Sequence, residues 1–437
     1  MFDNIYKKAY TLFSKIKEKI VFLPTIISIG AFCLGLLLIT FRDTEIENFF
    51  TKTPLVKIHE LDTLREILST FLMSLISITI FSFSMVMLVL NQAASHYSPK
   101  LLNWLVGQKK YQFILGMYLG TIVFTILLLI QIPEDTDFKP LFHFAVVLNA
   151  ALTFYCITLF VKFISNVSDD IQVSNIVENI YKKTRKRIDE ESGNSDDFMA
   201  FDIDAENWFE FSCNDSGYLQ KVTYEGLTDT LRKHNLKMII LQKFGQFYIT
   251  KNPLYKLNKY VTDKSIIDSI NANFVFYPGE NIRELSMYGF RQLSDIAVKA
   301  MSTGINDPGT ANICIDHLFD LLSYKMGKKD LNVILDNNGT PRILLNTYSV
   351  SEIIRICFTP VLNYTSNDIS ILKNFILSLN KLSYVDQYKV YYNDLNQLFA
   401  EVLLNIEHQK DKPYFYTYLQ NSLKELKESE GNYFNIK

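Results

Sequence analysis

Four uncharged apolar runs dominate the first part of this chain and constrain its fold more than any other feature. They cover residues 22–41, 67–92, 111–132 and 141–161, and none contains Asp, Glu, Lys or Arg. Each holds about 20 residues or more, enough to cross a ~30 Å hydrocarbon core as a helix with its backbone groups bonded internally. No comparable run follows Val161 in the 437-residue sequence. Hydrophobic residues at 48% against 21% charged agree with a chain that lives partly in lipid. The pattern predicts four membrane helices, followed by a large polar region.

Basic residues set the expected orientation, because Lys and Arg collect on the cytoplasmic side. Lys7, Lys8, Lys15, Lys17 and Lys19 precede the first run, and Lys100, Lys109 and Lys110 lie between the second and third. Lys162, Lys182, Lys183, Arg185, Lys186 and Arg187 follow the fourth, whereas the third-to-fourth loop carries Glu134, Asp135 and Asp137. Both termini are thus expected on the cytoplasmic side of the membrane. Three further spans follow the first run, so it does not read as a cleaved signal peptide. The absence of charge inside the runs argues against a proton relay or a voltage sensor.

The second run carries a polar stripe. Thr70, Ser77, Ser84, Asn91 and Ser98 recur every seven residues, close to two helical turns, and so share one face. Ser77, Ser84 and Asn91 are candidate pore-lining residues if several copies surround an axis. The alternative is that small polar groups on this face pack helix against helix. In the third run Gly116 and Gly120 form a GxxxG step, a helix-packing device that lets another helix approach closely.

The rest of the chain predicts a mixed α+β cytoplasmic region. Helical periodicity continues past the fourth run, and 165–204 read as a helical extension with an acidic linker. Residues 205–262 read as a small α+β domain: strands near Trp208 and Tyr218, a helix over 223–234, then strands at 238–241 and 246–250. Residues 263–437 read as mostly helical, with a β-hairpin around Asn337, Asn338 and Gly339. The membrane domain itself occupies 1–164. Forty-four basic residues against 46 acidic leave no global basic footprint for nucleic acid. Five cysteines without a CxxC pair support neither a disulfide framework nor a zinc ribbon. No cofactor motif is present, and none is expected.

The most specific segment is 289–311, GFRQLSDIAVKAMSTGINDPGTA. Phe290, Leu293, Ala297, Ala300 and Met301 give a helix its apolar face. Gly304 suits the stop, Asp307 an N-cap, and Pro308 the first position of a second helix. The result is a tight helical hairpin with a polar corner at Asn306, Asp307 and Thr310, with Arg291, Gln292 and Asp295 as further members of a candidate ligand or subunit contact. A capped turn that only satisfies its own backbone would use the same residues.

This segment resembles the signature of an uncharacterised bacterial membrane-protein family, catalogued as domain of unknown function twenty-two fifty-four. The match runs through Gly289, Arg291, Gln292, Leu293, Asp295, Ile296, Ala297, Lys299, Ala300, Ser302, Gly304, Ile305, Asn306, Asp307, Pro308, Thr310 and Ala311. Further family-like stretches are 92–100, Gly116 with Gly120, and 216–218; residues 279–286 depart from the family's usual pattern. The resemblance implies four amino-terminal membrane helices and a cytoplasmic region, and supplies no activity.

Two functions follow as expectations. One is an oligomeric, channel-like protein controlled by its cytoplasmic domain, with the lipid bilayer, further copies of itself and an ion or small ligand as partners. The other is a membrane-anchored sensor or scaffold without transport. Asp295 and Asp307 would be the acid, base or metal ligands of an enzyme, but no nucleophile–base pair accompanies them, so no reaction class follows.

Overall fold

The computed structural model describes residues 22–40, 61–96, 109–132, 140–193, 207–277, 285–429 and 433–434. The basic amino-terminal tail, Ser98, Lys100, the acidic 133–139 loop and the 194–204 part of the linker lie outside them. The chain divides into two compact units, Met1–Gln172 and Val173–Lys437.

The first unit is a helical bundle of α1 (Phe22–Thr40), α2 (Leu61–His96), α3 (Lys109–Ile130) and α4 (Pro140–Ile171). Among the described residues three stretches, Leu61–Val89, Lys109–Ile130 and Phe144–Asp170, are long and apolar enough to cross a membrane. The described apolar part of α1, Phe22–Leu37, is shorter than that. Helix α3 packs against the other three, and glycine decides how closely. A Cβ on Gly116 would meet the Ile27 side chain at 2.7 Å and the Pro24 Cα at 3.0 Å; on Gly120 it would meet Ile27 at 3.2 Å. The glycine face of α3 thus receives α1 of the same chain.

Leu75, Tyr118, Cys156 and Phe163 centre one apolar cluster of the bundle, and Leu64, Leu68, Phe124 and Leu128 a second. Two buried polar contacts join helices between these layers: Thr125 donates to Asn149 Oδ1 at 2.9 Å, and Thr121 lies 3.4 Å from the Cys156 sulfur. At the end of α4, Asp170 accepts from Lys110 Nζ at 2.9 Å and from the Tyr111 hydroxyl at 2.6 Å.

The second unit is mixed α/β. It begins with α5 (Val173–Glu190), whose buried Ile176, Val177, Ile180, Thr184 and Ile188 recur at helical spacing. Next come β1 (Phe209–Ser212), β2 (Gly217–Val222), α6 (Tyr224–Lys233), β3 (Met238–Ile240), β4 (Phe247–Tyr248), β5 (Pro253–Leu257), α7 (Lys264–Asn271) and β6 (Phe274–Tyr277). The hairpin helices α8 (Ser286–Ala300) and α9 (Pro308–Met326) follow, then β7 (Val333–Leu335) and β8 (Pro341–Leu344). The last elements are α10 (Val350–Ile353), a π-turn (Ile354–Phe358), α11 (Thr359–Thr365), α12 (Ile369–Val385), α13 (Tyr392–Glu407) and α14 (Pro413–Ser429).

The strands form two sheets, ordered β1-β5-β3-β8-β7 and β4-β2-β6. All pairings are antiparallel except β3 with β8. Adjacent in sequence, β1 and β2 enter different sheets. The Tyr248 hydroxyl sits where they part: it accepts from the Cys213 amide at 2.9 Å and donates to the Asn252 carbonyl at 2.6 Å. The hairpin read at Asn337–Gly339 forms as β7–β8 and extends the sheet begun by β1, β3 and β5. Leu227, Leu231, Leu254, Leu257 and Ile343 are fully buried beneath it. Burying each such side chain contributes about 1.5–3 kcal/mol.

Candidate functional site

The polar corner begins where α8 stops. The Asp307 amide donates to the Ala300 carbonyl at 2.8 Å, and the Asn306 amide to Ser302 at 3.0 Å. Asn306 adopts φ 48°, a left-handed conformation that asparagine tolerates better than most residues. Asp307 caps α9, its carboxylate accepting from the Thr310 amide at 3.0 Å and the Thr310 hydroxyl at 2.5 Å, with Pro308 at the first turn. Asn306, Asp307 and Thr310 therefore come together as one capped turn. Asn306 and Asp307 are exposed.

Arg291, Gln292 and Asp295 sit further back on α8. Gln292 is buried. Arg291 and Asp295 act electrostatically on the Cys357 thiol in the π-turn, while Asp307 acts on that of Cys314; burial pushes both thiols well up. The Ser294 hydroxyl donates to the Cys357 carbonyl at 2.7 Å, tying α8 to the π-turn. No part of the sequence signalled that turn; π-turns often accompany functional positions.

Gly289 shows why the signature opens on glycine. A Cβ there would lie 1.7 Å from Thr184 Oγ1, because α5 crosses α8 at this point. The Thr184 hydroxyl is held by the Ile180 carbonyl at 2.7 Å, so it has little room to turn away.

Sequence reasoning missed a partly enclosed cavity of about 480 Å³ in this unit. Arg187, Glu190 and Glu191 border it from the end of α5, and Ser286 and Met287 from the start of α8. Tyr224, Phe244 and Tyr348 bring aromatic walls; buried Lys325 and half-buried Asp330 bring an ion pair. Glu191 takes both donors of Ser286, the amide at 2.7 Å and the hydroxyl. Burial pushes its carboxyl above the usual range, and the Ser286 bonds oppose that rise without cancelling it. In the sequence Glu191 stands in an acidic stretch that reads as solvated linker, so nothing marked it. Among the described residues no group of His, Cys, Asp and Glu has the arrangement to hold a metal ion.

The α2 stripe lies elsewhere in the chain. Thr70, Ser77, Ser84 and Asn91 are all exposed on the bundle. The hydroxyls of Thr70, Ser77 and Ser84 donate to carbonyls four residues back, at 2.8, 2.9 and 2.9 Å. This satisfies them without a partner helix.

The helical bundle and the signature hairpin can be set against known families. The model of the predicted membrane proteins DUF2254 matches residues 17–381. The chain belongs to the DUF2254 family. Its match spans the bundle, both sheets and the α8–α9 hairpin, so DUF2254 describes the membrane and non-membrane units together. No curated protein and no solved structure matches the chain.

Proposed function

We propose that this DUF2254 protein is a four-span bacterial inner-membrane protein whose copies assemble around an axis lined by α2. The unit Val173–Lys437 would lie in the cytoplasm and control passage of an ion or small solute. The observation that carries this reading is the outward placement of Ser77, Ser84 and Asn91. Only 17% of the α2 span is buried within the chain, against 44% of the α3 span, so α2 keeps a broad face for another copy. Among the described residues none covers that stripe, whose Ser77, Ser84 and Asn91 are exposed, and symmetric assembly would enclose it. Gly116 and Gly120 are occupied by α1, so the glycine step does not serve contact with another copy.

Liposome flux by the full-length protein, with Ser84→Leu and Asn91→Leu as controls, tests this reading. Loss of flux in folded variants supports it; unchanged flux refutes the α2 lining.

A second reading, an anchored sensor without transport, draws on the cavity beside Glu191. It predicts ligand binding by a protein that conducts nothing.

A further inference from the structure

We propose that the cavity beside Glu191 is a binding site for a small organic cation with an aromatic body. Its volume, about 480 Å³, falls within the range that holds drug-sized ligands. The charges around it decide the sign of the ligand. Arg187 pairs with Glu190 at 2.5 Å, and the buried Lys325 pairs with Asp330. The donors at the start of α8, the Ser286 amide and hydroxyl, are taken up by Glu191. An anion beside Ser286 would have to break one of these pairs or displace Glu191, whereas Lys221, also on the lining, is exposed and its charge is screened by solvent.

The acceptor side is less complete. Ser286 uses two of the roughly four lone-pair sites that a carboxylate offers. A cation placed beside Glu191 would find an acceptor and add to the stabilisation that Lys325 already gives its charge. The walls favour the same chemistry, since Tyr224, Phe244 and Tyr348 line the cavity and aromatic rings attract an ammonium group. Tyr348 already faces a cation of the chain, Lys243, whose Nζ lies 5.1 Å from the ring centroid and is held by Glu352 and the Thr347 carbonyl.

A ligand here would touch the end of α5 and the start of α8 at once. Those are the two helices that Gly289 and Thr184 lock together. Occupancy would therefore bear on the junction between the signature hairpin and the helix that begins two residues after α4 ends. The site stands whether or not the bundle conducts, and its test measures binding alone.

The test is calorimetric titration of the full-length protein in detergent with three matched probes: tryptamine (cationic), 3-ethylindole (neutral) and indole-3-propionate (anionic). Tryptamine should bind, with the neutral probe weaker by about tenfold or more and the anion weakest. Glu191→Gln should remove the preference for tryptamine. Leu345→Trp, which fills the cavity and leaves Glu191 in place, should abolish binding of all three without lowering the melting temperature below that of Glu191→Gln. Equal binding of the three probes, preference for the anion, unchanged tryptamine affinity in Glu191→Gln, or no tryptamine binding at millimolar concentration would each overturn the proposal.

Discussion

The two units use the same device, a glycine where helices cross, against different neighbours. In the bundle Gly116 faces the far end of the Ile27 side chain, whose Cδ1 can turn about χ2, and Gly120 faces its Cγ2 at 3.2 Å. In the second unit Gly289 faces Thr184, whose hydroxyl is already bonded to its own helix. Polar groups diverge in the same way. On α2 they turn back on their own helix, whereas Glu191 with Ser286, and Ser294 with Cys357, join elements far apart in sequence. The α2 stripe is thus satisfied locally, whereas the Lys110–Asp170 and Thr125–Asn149 bonds of the bundle and the Glu191–Ser286 bond of the second unit join distant parts of the chain. A Cβ at the glycine crossing should be felt more sharply in the second unit.

Gly289→Ala is expected to have the largest effect. With Thr184 1.7 Å from the new Cβ, the α5–α8 crossing must open, at a cost of about 3 kcal/mol or more. Thermal unfolding should show it, and Thr184→Ala in the same chain should recover part of the loss. Gly116→Ala should cost less, about 1–2 kcal/mol, since Ile27 can move but the Pro24 Cα at 3.0 Å cannot easily. Gly120→Ala, with its nearest neighbour at 3.2 Å, should cost least. If Gly116→Ala proves as damaging as Gly289→Ala, the contrast between the units fails.

Much of the local structure was legible in the sequence. The apolar runs form helices, Asp307 and Pro308 start α9 as capping chemistry requires, and Asn337–Gly339 turns the β7–β8 hairpin. These features depend on neighbours within a few residues. The pairing of β1 with β5 and of β2 with β6 was not legible, because hydrophobic alternation identifies strands without naming partners. The cavity was hidden for the same reason: Glu191 and Ser286 meet across 95 residues of chain. The corner residues were legible as a turn, and Arg291 and Asp295 read as their neighbours only because they share the signature; the π-turn that faces them came from a segment read as plain helix.

The smallest expected effects concern pH, and they carry opposite signs. Burial raises the Glu191 carboxyl above its unfolded value, so the folded state holds its proton more tightly. Its contribution to stability falls as pH rises from the usual glutamate range, about 4.3, towards neutrality. The bond from Arg342 holds Asp336 below its usual value, despite some opposing desolvation. That contribution is present above the usual aspartate range, about 3.9, and disappears on acidification. Melting curves of the full chain should therefore show the wild type losing ground to Glu191→Gln as pH rises, and losing its advantage over Asp336→Asn as pH falls. Parallel curves for both variants would remove the distinction.

The most direct measurement of the central claim is ion flux into liposomes holding purified full-length protein, compared with Ser84→Leu and Asn91→Leu at matched folding and orientation. An α2-lined assembly predicts flux in the wild type that either variant abolishes. Equal flux in all three, or none in a folded wild type tried across ions and voltages, would contradict it.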